Sequence, residues 1–155
     1  MSKKFLDTMN YILAKPATIL GETDINLFRA FIIGFMYSRD RPDESGFLEV
    51  FHRWAAERYN HIKYDKGKGW ADLFMQMAKE LTPAVRKEQV LTTSHYVSPN
   101  FDRQESIALY LMAEAWDDFI KECPKDKYPY DSDEIRKLRP FRSIDAPWQV
   151  ETQTA

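Results

Sequence analysis

Cysteine is almost missing from this chain: its 155 residues contain one, Cys123. A lone thiol excludes an intramolecular disulfide framework and a zinc site built from several cysteines, and it suits a reducing compartment. Glycine is scarce, and the only Gly-rich string, Gly67-Lys68-Gly69, lacks the spacing, the following Ser or Thr and the preceding strand of a phosphate loop. It reads as a turn between helices. Excess charge is missing too: 22 Lys+Arg against 24 Asp+Glu leave a formal net charge of -2, so nothing drives the chain as a whole toward nucleic acid or an anionic membrane. No apolar run approaches the roughly 20 residues a bilayer requires. The N-terminus carries Asp7 and Asn10 where a signal peptide needs an apolar region, which places the protein in the cytoplasm.

Aromatic residues, by contrast, are plentiful at 14%, within a 44% hydrophobic composition. That is enough for one domain with a core of large side chains. The most apolar stretch is Ile25 to Tyr37, INLFRAFIIGFMY. Positions 25, 28, 32, 35 and 36 share one helical face, while Leu27, Phe31 and Ile33 fill the others, so this helix is expected at the centre of the fold. Gly34 is expected to admit a close neighbour. Phe28 and Phe31 are both expected in the core, where truncation to Ala costs about 3–5 kcal/mol.

Around this centre the spacing predicts four further helices. Phe5, Leu6, Met9, Ile12 and Leu13 form a stripe that Ser2 can cap and Lys15-Pro16 ends. The following KPATILGETD reads as a connection in which Thr23 or Asp24 caps the central helix. After the break RDRPDESG, Phe47, Val50, Phe51, Trp54 and Ala55 turn inward, while Glu49, Arg53, Glu57 and His61 step along a solvated ladder. Trp70, Leu73, Phe74, Met77, Ala78 and Leu81 give the cleanest helical pattern. Thr82-Pro83 interrupts it, and 92–101 reads as a loop. Asp102 and Glu105 resemble a capping box opening the last helix, with Ala108, Met112, Ala115, Trp116, Phe119 and Ile120 as its buried face and Pro124 as its end. The expectation is an all-α, single-domain bundle of about five helices around the central helix, about 24–38. It occupies 1–123, with an irregular Pro- and charge-rich arm over 124–155 that packs on the bundle and frays at its end.

No catalytic, cofactor or metal constellation emerges. His52, His61 and His95 are scattered, and Glu57 with His61, one turn apart, is the only pair that suggests two metal ligands. No Gly-x-Ser-x-Gly elbow is present, and Cys123 at a helix C-terminus has its thiolate disfavoured. Asp117 and Asp118, adjacent on a helix, diverge by about 100° and make a poor catalytic dyad. The last helix carries Glu105, Glu114, Asp117, Asp118 and Glu122 against Arg103 and Lys121. This acidic outer face is either ordinarily solvated or a docking surface for a basic protein. Glu114, Asp117, Asp118 and Glu122 are therefore the first candidates for partner binding, followed by Asp65, Lys66 and Lys68 in the turn before Trp70.

The order Lys15-Pro16, Ile19-Leu20-Gly21, a helix holding Phe31 and Gly34-Phe35, then Phe51 and Trp54, Gly69-Trp70, and an acidic helix with Phe119 resembles a group of small bacterial proteins. Their pattern is an Arg-Pro-Gly-x-Tyr-Leu-Gly-like start, a helix with Phe-x-x-Gly-Tyr and a later helix opened by Gly-Trp. Genes of that group lie beside polymorphic and contact-dependent toxins, and its members are taken to be immunity proteins. The likeness spans residues 9–81 and, more weakly, 104–122. It implies a cytoplasmic, non-catalytic inhibitor that needs no cofactor and occludes a cognate toxin, such as a basic nuclease domain, without itself touching nucleic acid or membrane. Two other expectations stand beside it: an adaptor or structural subunit docking through the 124–155 arm, and a small metal-dependent enzyme using Glu57 and His61.

Overall fold

Apolar side chains recurring every third or fourth position must share a face, and the chain folds to bury those faces against one another. A computed structural model describes residues 3–39, 42–80 and 103–122. They form α1 (Lys3–Ala14), α2 (Pro16–Leu20), α3 (Ile25–Arg39), α4 (Pro42–Arg58), a 3-10 turn (Lys66–Lys68), α5 (Trp70–Glu80) and α6 (Gln104–Glu122). The described residues contain six α-helices and no strand, so the fold is an all-α bundle. The readings made for Ser2, 81–102 and 123–155 lie outside the described residues.

Three stripes fall where the spacing places them. Phe5, Leu6, Met9, Ile12 and Leu13 of α1 are buried, as are Phe47, Phe51, Trp54 and Ala55 of α4 and Leu73, Phe74 and Ala78 of α5. Two boundaries differ. The expected connection after Lys15 contains α2, because Pro16 ends α1 and also suits the first position of a new helix. Gly21 closes α2 at φ 82°, a left-handed conformation that favours glycine, with its N–H donating to the Ala17 carbonyl at 3.0 Å. The break after Arg39 is shorter than expected, since α4 already begins at Pro42.

The centre of the bundle also differs. Twelve of the nineteen residues of α6 are buried, including all six predicted to face inward. Its Trp116 and Phe119 meet two rings of α4: Phe51 lies 5.3 Å from Trp116 and 5.5 Å from Phe119, and Phe47 lies 5.8 Å and 5.7 Å from the same pair. Phe5 of α1 and Phe74 of α5 join this cluster through Phe47 and Phe51, at 6.3 Å and 6.2 Å. Edge-on aromatic pairs add about 0.5–1.5 kcal/mol beyond the area they bury.

By comparison α3 buries only Ile25, Phe28 and Ile32 completely. Phe31 is 38% exposed and Tyr37 87% exposed, with Leu27 and Ile33 also at the surface. An apolar circumference predicts burial only where neighbours exist on every side, and on its Leu27–Phe31 flank α3 meets the five-residue α2. Among the described residues nothing approaches Gly34 closely either, and an added Cβ there would meet no atom of theirs within 4 Å.

A polar node fixes the angle between α3 and α6. The Asp24 carboxylate accepts the backbone N–H groups of Asn26 at 2.7 Å and Leu27 at 3.3 Å, capping α3. From the start of α6, Ser106 donates its hydroxyl to the buried Thr23 carbonyl at 2.6 Å, and Arg103 reaches Asp24 at 3.5 Å and Glu22 at 3.8 Å.

These positions predict a contrast measurable by urea unfolding. Phe51→Ala or Trp116→Ala should cost about 3–5 kcal/mol, whereas Phe31→Ala should cost less than about 1.5 kcal/mol. Gly34→Ala should stabilise by roughly 0.5–1 kcal/mol, because it removes backbone freedom inside an exposed helix and meets no obstacle.

Candidate partner-binding surfaces

On α6 the spacing i, i+4, i+8 aligns Glu114, Asp118 and Glu122 on the flank facing the end of α4. Arg58, the last residue of α4, bonds Glu122 and reaches Asp118 at 3.4 Å, and its guanidinium stands 5.2 Å from the centre of the Trp54 ring. Trp54 donates its indole N–H to Glu122 at 3.1 Å. Burial works against the Arg58 charge, but the Glu122 bond outweighs it and the pKa of Arg58 is raised. Burial likewise raises the Tyr59 phenol, with Asp118 and Glu114 adding to the shift and Arg58 opposing it. This flank therefore carries carboxylates already engaged with their own chain. An exposed clamp of this kind adds only about 0.2–1 kcal/mol per ion pair.

Asp117 is not on the outer face at all. It is fully buried, and its carboxylate pairs with Lys121 one turn further on at 3.0 Å. An acidic residue on an amphipathic helix is expected outside, but the buried arc of α6 is wide enough to include position 117. It can contact a partner only through a change in the fold.

The second predicted group belongs to another edge. Asp65, Lys66 and Lys68 are exposed, in a turn more ordered than its Gly-Lys-Gly composition suggests. Asp65 accepts the Gly67 N–H at 3.0 Å and donates its own N–H to Asp72 at 2.9 Å, which ties the turn to the first turn of α5. Gly69 follows at φ 89°, a conformation that L side chains rarely adopt. The connection before it is held to α4 by His52, whose Nε2 lies 2.9 Å from the Tyr64 hydroxyl. Burial lowers the His52 pKa; Glu49 opposes that shift and Lys66 reinforces it.

Of the two residues suggested as metal ligands, Glu57 lies in the last turn of α4, which ends at Arg58, and His61 lies in the turn beyond it. Among the described residues no group of three or more His, Cys, Asp or Glu is placed to hold a metal ion, and no helix is long and apolar enough to cross a membrane.

The structure adds a surface the sequence reading missed. A shallow groove of about 730 Å³ runs between α1, α2 and α3, lined by Tyr11, Ile19 and Phe31 with Lys4, Asp7 and Thr8 at its polar edge. Phe31 stacks on Phe35 with ring centres 6.4 Å apart, and Tyr11 is 54% exposed. Contiguous exposed apolar surface with a polar rim is the usual character of a protein-binding site. The signal was present as the all-round apolarity of 25–37, which core and interface share. Comparison with known protein families, curated proteins and solved structures finds no match to this chain.

The burial of His52 makes a pH prediction. With its folded pKa below the ordinary 6.5, His52 contributes stability that is complete above pH 6.5 and is lost as pH falls through the folded pKa. Melting temperature should therefore fall on acidification from pH 7 to pH 5. His52→Gln should make that fall shallower in a pH series of thermal melts.

Proposed function

We propose that this protein is a non-catalytic immunity protein of the cytoplasm, which neutralises a cognate bacterial toxin by binding and occluding it. The observation that carries this reading is the apolar groove of Tyr11, Ile19 and Phe31, rimmed by Lys4 and Asp7, on an otherwise well-packed bundle. Aromatic anchors at the centre of a polar-rimmed patch are what a tight inhibitor requires, since few interface residues supply most of the binding energy. The resemblance to immunity proteins supports the same class, and its matched residues Ile19 and Phe31 line the groove. Glu122 and Asp118 are held by Arg58, and Asp117 is buried. This moves the favoured toxin-binding surface from the acidic flank of α6 to the α1–α3 face, and the turn at Asp65, Lys66 and Lys68 lies outside that groove. The toxin need not then be basic, although a basic nuclease domain remains within the class.

The rival reading is an adaptor that docks through residues 124–155, favoured by the aromatic content of that segment: Tyr128, Tyr130, Phe141 and Trp148. The two separate by experiment. The toxic domain encoded by the neighbouring gene should co-purify with the full chain, and Ile19→Glu with Phe31→Glu should weaken that complex by at least about tenfold, or about 1.4 kcal/mol, and abolish protection of cells. Both residues are partly exposed, so the variant should fold, as circular dichroism will verify. Reversal of Glu114 and Asp118 should leave binding within about threefold, or about 0.7 kcal/mol. If only the acidic reversal abolishes binding, the interface is on α6. If only truncation after Cys123 does so, with the bundle still folded, the adaptor reading replaces this one.

A further inference from the structure

A second concavity lies where α5 passes the first turn of α3 and the first residue of α6. It is about 360 Å³ in volume, and Arg29, Lys68 and Lys79 line it against a single carboxylate, Asp72. In a chain of formal net charge -2, this wall carries three cations to one anion. Asp72 is also occupied, because its Oδ2 accepts the Asp65 N–H at 2.9 Å. Arg29 and Lys68 form no ion pair with any of the described residues.

The remaining lining suits a ligand larger than a bare ion. Asn26 and Gln76 bring amide groups to the cleft, and the Gln104 amide is fixed by donation to the Met75 carbonyl at 2.8 Å. Ala71 and Met75 supply an apolar portion of the wall. Guanidinium and ammonium donors are matched to phosphoryl oxygens, and the volume falls at the lower end of small-ligand pockets, about 300–1,000 Å³. The elements hold this shape independently of any ligand: Asp24 caps α3 immediately before Asn26, and Asp65 secures the turn bearing Lys68.

We propose that this cleft binds a phosphomonoester of about mononucleotide size, with Arg29 and Lys68 engaging the phosphoryl oxygens. The site is separate from the α1–α3 groove, and the proposal does not rest on the toxin-binding reading. The phosphoryl group can come from a nucleotide or from free phosphate, and titration calorimetry of the full chain distinguishes the two. Adenosine monophosphate and inorganic phosphate are titrated separately at about 50 mM salt, with a polyglutamate peptide as an acidic non-phosphate ligand.

Saturable binding of adenosine monophosphate with a Kd below about 1 mM is expected, weakening several-fold at about 200 mM salt because the cations are exposed to screening. Arg29→Gln with Lys68→Gln should weaken it at least tenfold, while Lys63→Gln, exposed and outside the cleft, should leave it unchanged. Inorganic phosphate binding as tightly as the nucleotide would overturn the mononucleotide-sized ligand, since the cleft would then recognise the phosphoryl group alone. Absence of saturable binding by both, binding of polyglutamate only, or equal affinity in the double variant would overturn the proposal. Thermal melts of each variant will show that the fold is retained.

Discussion

Everything else in this protein hangs on the contact between two aromatic pairs, Phe47 and Phe51 of α4 against Trp116 and Phe119 of α6. All four side chains are at most 4% exposed, and their ring centres lie between 5.3 and 5.8 Å apart. Large rings at this spacing leave no room for water, so the helices bearing them must close on one another. Phe5 and Phe74 extend the cluster to α1 and α5. The small residues Ala108, Ala113 and Ala115 of α6 are also buried, letting neighbouring helices lie close on the other sides.

The packing around α6 explains why α3 has surface to spare. Ile25, Phe28 and Ile32 attach its first half to the bundle, where Phe28 meets Trp70 edge-on at 5.8 Å. The Thr23–Asp24 node then sets its direction through Ser106 and Arg103. Beyond Ile32 only Phe35 and Met36 still pack partly against the core, while Phe31 is left beside Ile19 of α2. An apolar groove is the result, without any need for a loop or a mobile lid. A rigid helical face of this kind is well suited to recognition, because little conformational freedom is lost when a partner covers it.

How far the sequence discloses this follows from the range of each interaction. The stripes of α1, α4, α5 and α6 are local patterns, and the described residues they nominate are buried, except that Val50, Trp70 and Met77 are only partly buried against the core. The cap at Asp24 is equally local. In contrast, α2 is concealed because Lys15-Pro16 is a stop signal and Pro16 a start signal at once. Phe28 and Phe31 are identical in type and three residues apart, yet one is in the core and the other lines the groove. Only the placement of α1 and α2 distinguishes them. Asp117 fails for the same reason, since its burial depends on the breadth of surface that α4 and α5 present to α6. The pairing of Ser106 with Thr23 joins positions 83 residues apart, and no periodicity reports it. A surface patch is defined by what does not pack on it, so local periodicity marks core residues more directly than site residues.

Native-state hydrogen exchange on the full chain tests the central claim, that α6 and not α3 is the stable axis of the bundle, with the second half of α3 only partly buried through Phe35 and Met36. The amides of Ala113 to Ile120 should exchange only through global unfolding, and those of Gly34 to Tyr37 through local opening at a much lower free energy. Equal protection of the two segments would contradict it.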